Sequence, residues 1–176
     1  MFTTLNKIIS NDNFYNENKE KWGELLKNLG KTEPDDEPLS LSTILESSGI
    51  DVALWCLSCI DGYDREIRLL AVEFARGVQH LVKDQTIISA LDIVEKYANG
   101  LASEQELNSA QSDAKNASIA AKAASADSFA AMSISHTALS NARDAAYYTA
   151  WAALNAVATA EDERQSHLLK SSCAEK

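Results

Sequence analysis

With 176 residues, 45% of them apolar and 24% charged, the chain has the make-up of an ordinary globular protein and is long enough for one domain with a true core. Its formal charge of −10 and pI near 4.7 weigh against sequence-independent binding to a nucleic-acid backbone or an anionic membrane. They suit a basic protein partner.

MFTTLNKIISNDNFYNENKEK has no basic segment followed by an apolar one, and no apolar run nears the roughly 20 residues of a membrane span. Three cysteines, an odd number, do not make a disulfide framework. The expectation is a cytoplasmic, reduced protein.

Helix signals recur along the chain and strand signals hardly appear. Phe2, Leu5, Ile8 and Ile9 mark a first segment, followed by an Asn-rich break. Trp22, Leu25, Leu26 and Leu29 repeat at helical spacing, and Gly30 is their stop. KTEPDDEP holds both prolines of the chain and reads as a loop. The next helix opens either at Ser40 or in a capping box of Thr43 with Glu46, and Gly49 closes it. Asp51 caps a helix whose apolar positions are Val52, Trp55, Cys56 and Cys59. After the turn IDGYD, residues 64–82 place Ile67, Leu70, Ala71, Phe74, Val78 and Leu81 on one face. Asp84 caps another helix, with Ile87, Ile88, Leu91, Val94 and Tyr97 inward and Gly100 at its end.

Residues 101–176 contain neither glycine nor proline. Ser103 and Glu106 form a capping box. From Ala110 the chain divides into seven blocks of seven, each beginning with alanine and carrying Ala, Ser or Thr at its fifth position. Those positions make a narrow stripe of small side chains along a helix, suited to close helix pairing. One helix over 104–169 would be about 100 Å long, so a hairpin is expected. Its turn should fall at Ser125–Asp127 or Ser133–Thr137, where helix-competing polar residues cluster. Pairing within the chain is the first reading, and pairing between subunits the second. Tyr147, Tyr148, Trp151, Leu154 and Val157 add apolar area toward the C-terminus and predict packing on the preceding helices.

The predicted architecture is all-α: short antiparallel helices over about 15–100 packed with an Ala-rich helical hairpin over about 104–169. As one domain it divides into N-terminal helices and acidic loop (1–38), four helices (39–100), the hairpin (101–170) and a tail (171–176).

Cys56-Leu-Ser-Cys59 has CxxC spacing. It lies late in an apolar helix, away from the helix N-terminus where redox pairs sit, and His80, His136, His167 and Cys173 give no paired spacing to complete a zinc site. Buried cysteines acting as small hydrophobes are the simpler account. No nucleophile elbow, HExxH, P-loop or dinucleotide motif occurs. The chain is read as a non-enzyme without cofactor or metal.

From Glu33 to Asp64 there are eight acidic residues and no Lys or Arg. Some would cap helices. The rest form a one-signed patch for a basic protein, with Glu33, Asp35, Asp36, Glu37, Asp61, Tyr63 and Asp64 as candidate partner-binding residues. Arg65, Glu66, Arg68, Glu73 and Arg76 mix signs on one helix and read as a solvated or helix-bridging face, with Glu73 and Arg76 able to pair.

The segments DVALW, DREIRLLAVEFARGVQHL and ALDIVEKYANG, followed by an alanine-rich tail, resemble the immunity proteins of bacterial polymorphic toxin systems. The matching residues are Asp51, Ala53, Leu54 and Trp55, then Asp64, Arg65, Glu66, Ile67, Arg68, Leu69, Ala75, Arg76, Val78, His80 and Leu81. Ala90, Leu91, Asp92, Glu95, Tyr97, Ala98, Asn99 and Gly100 complete the match. The likeness spans about residues 40–160. The tail departs from it: Ser and Asn replace many positions, and Trp151 is its one tryptophan. The resemblance implies toxin neutralisation without naming a toxin; the first function expected from it is stoichiometric inhibition, in which the acidic sector would meet a basic, nuclease-like surface. Two alternatives stand beside it: a helical scaffold or homodimer using the alanine stripe, and an acidic inhibitor of a nucleic-acid-binding defence protein.

Overall fold

The structure is a computed structural model. It describes residues 1–10, 19–120, 130, 132–133, 136–139 and 141–174, excluding the side chains of 118–120, 147, 151 and 162–174. The described residues form seven α-helices and one two-stranded sheet, an all-α protein. By its contacts the chain divides into two compact units, Met1–Asp64 and Arg65–Lys176.

In the first unit, β1 (Phe2–Thr3) pairs antiparallel with β2 (Leu39–Ser40). Between them lie α1 (Leu5–Ile9) and α2 (Lys19–Asn28), and β2 runs directly into α3 (Leu41–Cys56). Thr4 caps α1, accepting from the Lys7 N–H. Ser40 caps α3, accepting from the Thr43 N–H at 3.0 Å, so the helix opens at the earlier of the two candidate positions. Gly49 sits at φ 80°, ψ 179° inside α3 and kinks it. An L side chain is strained at that φ, and the glycine divides the sequence's two expected helices at the anticipated place. Asp51 lies inside the element, two residues past the kink. A 3₁₀ turn, Leu57–Cys59, follows. The core is Leu5, Ile8, Trp22, Leu25, Ile44, Val52, Ala53, Trp55, Cys56 and Cys59. The cysteines are therefore packing residues, and burial pushes the Cys56 thiol well above its ordinary value.

The second unit holds α4 (Asp64–Val78), whose first residue closes the first unit, and a 3₁₀ turn at Gln79–Leu81. It continues with α5 (Gln85–Ala98), α6 (Glu104–Ala120) and α7 (Ala142–Ala174). Asp84 caps α5 by accepting from the Thr86 N–H at 2.8 Å. Gly100, at φ 71°, ends it with two bonds: Leu101 N–H to Lys96 carbonyl at 2.8 Å and Gly100 N–H to Tyr97 carbonyl at 3.0 Å. The same pattern closes α2 through Gly30 and Lys31. The Ser103–Glu106 box is reciprocal: the Glu106 N–H donates to Ser103 Oγ at 3.2 Å, and the Ser103 N–H to Glu106 Oε2 at 2.7 Å.

The alanine stripe is buried at all but one of its described positions: Ala110, Ala114, Ala138, Ala142, Ala145, Thr149, Ala152 and Ala156 are inside, and Ala117 is half-buried. Ala110 and Ala114 pack with Ala90 and Ile93 of α5. Ala138, Ala153 and Ala156 join Val72, Ala75, Val78, Leu91, Val94 and Leu107 in the main core. So the alanines meet branched side chains of α4 and α5, which supply the area alanine lacks. The chain doubles back between Ser133, whose hydroxyl donates to the Thr149 carbonyl at 3.1 Å, and α7. It leaves the helical state at Ala138–Leu139, just past the second candidate turn. The first candidate, Ser125–Asp127, lies outside the described residues. The expectation that the large C-terminal residues point inward is corrected. Tyr148, Leu154 and Val157 are exposed, because the alanines on the opposite side permit the closest approach to the core. The side chains of Tyr147 and Trp151 lie outside the described residues.

Candidate functional site

The acidic sector is a folded surface of the first unit. The Asn6 N–H donates to the Asp35 carbonyl at 3.0 Å and pins the 31–38 loop to α1. Lys31 donates to Asp35 and, at 2.6 Å, to Glu37, while the Glu37 N–H donates to Asp35 Oδ1 at 3.2 Å. Lys31 holds the Asp35 carboxyl below its ordinary range, and Asp35 raises the lysine in return. Next along α1, Lys7 pairs with Asp61 at 2.6 Å. The Thr3 hydroxyl donates to the Cys59 carbonyl at 2.7 Å, anchoring the turn that precedes Asp61.

Two consecutive residues, Asn6 and Lys7, thus tie both ends of the acidic stretch to one short helix. This corrects the one-signed reading. The stretch has no base of its own, but Lys31 and Lys7 enter from outside it and neutralise part of it. Glu33 and Asp36 are exposed, as is Asp64 at the start of α4, where a carboxylate is favoured by the helix dipole. Tyr63 is half-buried. The charge imbalance remains large, with twelve acidic and five basic residues in positions 1–64.

On α4 the helix-bridging alternative is the one observed, and the solvated one is corrected for Arg68. Arg68 is 4% exposed. Its guanidinium donates to the carbonyls of Thr137 at 3.0 Å and Leu139 at 2.7 Å, and lies 5.4 Å from the centre of the Tyr97 ring. Arg76 pairs with Asp92 at 2.7 Å and Glu95 at 2.6 Å on α5, and not with Glu73. Arg65 donates to Asn99 Oδ1 at 2.8 Å. The sequence strings that carried the resemblance therefore become a polar ladder between α4 and α5. The missed signal for Arg68 is the pair Ala71 and Ala75, one and two turns further on, which leave room for a long stem.

Near the turn before α7, the His136 ring stacks obliquely on Tyr148 with centroids 5.5 Å apart. Its Nδ1 is buried without a hydrogen-bond partner, and burial pushes the imidazole below its ordinary value. Among the described residues no three His, Cys, Asp or Glu side chains are placed to hold a metal ion. No described helix is long and apolar enough to cross a membrane.

Fold and surface define a class: an acidic all-α protein that presents carboxylates on a pinned loop. No protein-family model, curated protein or solved structure matches the chain.

Proposed function

We propose that the protein is an immunity-type inhibitor that neutralises a toxin by stoichiometric binding of its basic surface. The supporting observation is the acidic face of residues 1–64, where the 31–38 loop is fixed by Asn6 and Lys31 before any partner arrives. A preorganised loop lowers the ordering cost of association, and its charge steers a basic partner. Glu33 and Asp36 are exposed carboxylates of that loop outside the Lys31 pairs and carry the recognition.

Co-expression with toxins encoded beside it should restore growth. In surface-plasmon measurements on the rescued toxin, the Glu33→Gln/Asp36→Asn double variant should associate several-fold more slowly and with weaker salt dependence. If no neighbouring toxin is tolerated better in its presence, the inhibitor reading fails.

A second reading, a homo-oligomer formed through α7, draws on the exposure of Tyr148, Leu154 and Val157. Light scattering at high micromolar concentration decides it, because a strict monomer excludes it.

A further inference from the structure

The geometry points to a second contact surface, in Arg65–Lys176: a groove between α5 and α6 that takes a lysine or arginine side chain of a protein partner. The groove has a volume of about 270 Å³, with Ala90, Ile93 and Ala110 as an apolar floor and Ser89, Glu106 and Asp113 among its polar edges. It exists because Ala90 and Ala110 face each other where larger residues would fill the gap.

Glu106 and Asp113 stand two turns apart on α6, about 10 Å along its axis. The capping box engages Oε2 of Glu106. Asp113 is exposed and makes no hydrogen bond or ion pair among the described residues. Among the described residues no lysine or arginine lines the groove; the Glu106 carboxyl is held low by its bonds to Ser103, with a smaller contribution from Lys96.

A basic side chain satisfies each part of this arrangement. Its methylene stem covers the alanine floor while its head reaches Asp113 and the serine hydroxyl. Charge complementarity selects this occupant, since two carboxylates repel a phosphate or an acidic peptide. The inference does not rest on the acidic loop, which belongs to the other unit.

The test is a titration of the ¹⁵N-labelled full chain with acetyl-Arg-Arg-amide, using acetyl-Glu-Glu-amide as control. Amide shifts should concentrate at Ser89, Ala110 and Asp113 and saturate together with the basic peptide alone. Asp113→Asn should weaken binding at least threefold. Ser89→Arg, which places a basic side chain of the chain's own in the groove, should weaken it at least fivefold. Both positions are exposed, so the variants should keep the dispersed spectrum of the parent. The Glu33→Gln/Asp36→Asn variant should bind the peptide unchanged at this groove. Shifts confined to residues 31–64, or affinities that neither groove variant alters, overturn the proposal without touching the toxin reading.

Discussion

Replacing Arg68 by methionine removes two charge-assisted hydrogen bonds while keeping most of the stem volume. The two acceptors are the carbonyls of Thr137, at the end of a helical segment, and Leu139, just past it, where helix carbonyls lack intrahelical donors. Hydrogen bonds to a charged group contribute about 1.5–3 kcal/mol each, and the contact with Tyr97 adds about 0.5–1 kcal/mol. Against this stands the cost of holding a guanidinium 4% exposed, which methionine relieves. Loss of both charge-assisted bonds outweighs that relief, so the net destabilisation should be about 3 kcal/mol. For a chain of this length that lowers the melting temperature by about 6–12 °C. Both bonds leave one nitrogen, Nη1, so Arg68→Lys keeps the charge and a multiple donor but loses the flat guanidinium over Tyr97, and should fall about midway. Urea unfolding followed by circular dichroism measures both. If Arg68→Met lies within about 0.5 kcal/mol of the parent, the guanidinium is not a clamp. If Arg68→Lys equals the parent, charge alone is what matters.

Ser103→Ala removes the reciprocal cap of α6 and should cost about 1 kcal/mol in the same urea assay. The Glu106 carboxyl is held low by its bonds to Ser103, so its stabilisation is present above its unfolded value of 4.5 and is lost as pH falls through the lower folded value. In Ser103→Ala that acid-side loss should shrink. Arg76→Gln cuts the link to Asp92 and Glu95; the pair is partly exposed, so about 1 kcal/mol is expected, less at high salt. Burial lowers the His136 imidazole from 6.5, so its neutral form stabilises the fold fully above 6.5, and that contribution is lost as pH falls from there through the folded value. His136→Phe should flatten the fall of the urea midpoint as pH drops below 6.5. In a Cys173→Ser background, Cys56 and Cys59 should resist an aromatic disulfide reagent in native buffer and react on unfolding; fast native labelling contradicts their burial.

What the sequence made legible is local. Ser40, Asp84 and the Ser103–Glu106 box are starts whose bonds close within three residues, and Gly30 and Gly100 are stops of the same range. The alanine stripe was legible because a seven-residue period marks one helix face regardless of what covers it. Its partner was not legible: nothing in the blocks themselves assigns Ala110 to Ala90 of α5. The acidic surface failed for the same reason. A charge count over 33–64 cannot see Lys7 or Lys31, whose proximity is set by β1 pairing with β2, a contact of two residues per strand with no strand pattern to announce it. The burial of Arg68 was not legible because a charged residue on a mixed-sign helix is normally solvated or bridges helices at the surface, and only the alanines beside it hinted otherwise.

The polar residues that gave the chain its resemblance now have a physical division of labour. Arg65, Arg68, Arg76, Asp92, Glu95, Tyr97 and Asn99 all have partners inside the second unit, so their side chains hold α4 to α5 and to the turn before α7. Such residues maintain a fold and carry no information about which partner is bound. Glu33 and Asp36 lie outside those strings, are exposed, and sit on a loop whose shape is set by Lys31 and Asn6. A surface of that kind can change its charges without disturbing the core. Stability and recognition are therefore expected to separate in this chain: variants of the ladder should alter melting, and variants of the loop should alter association.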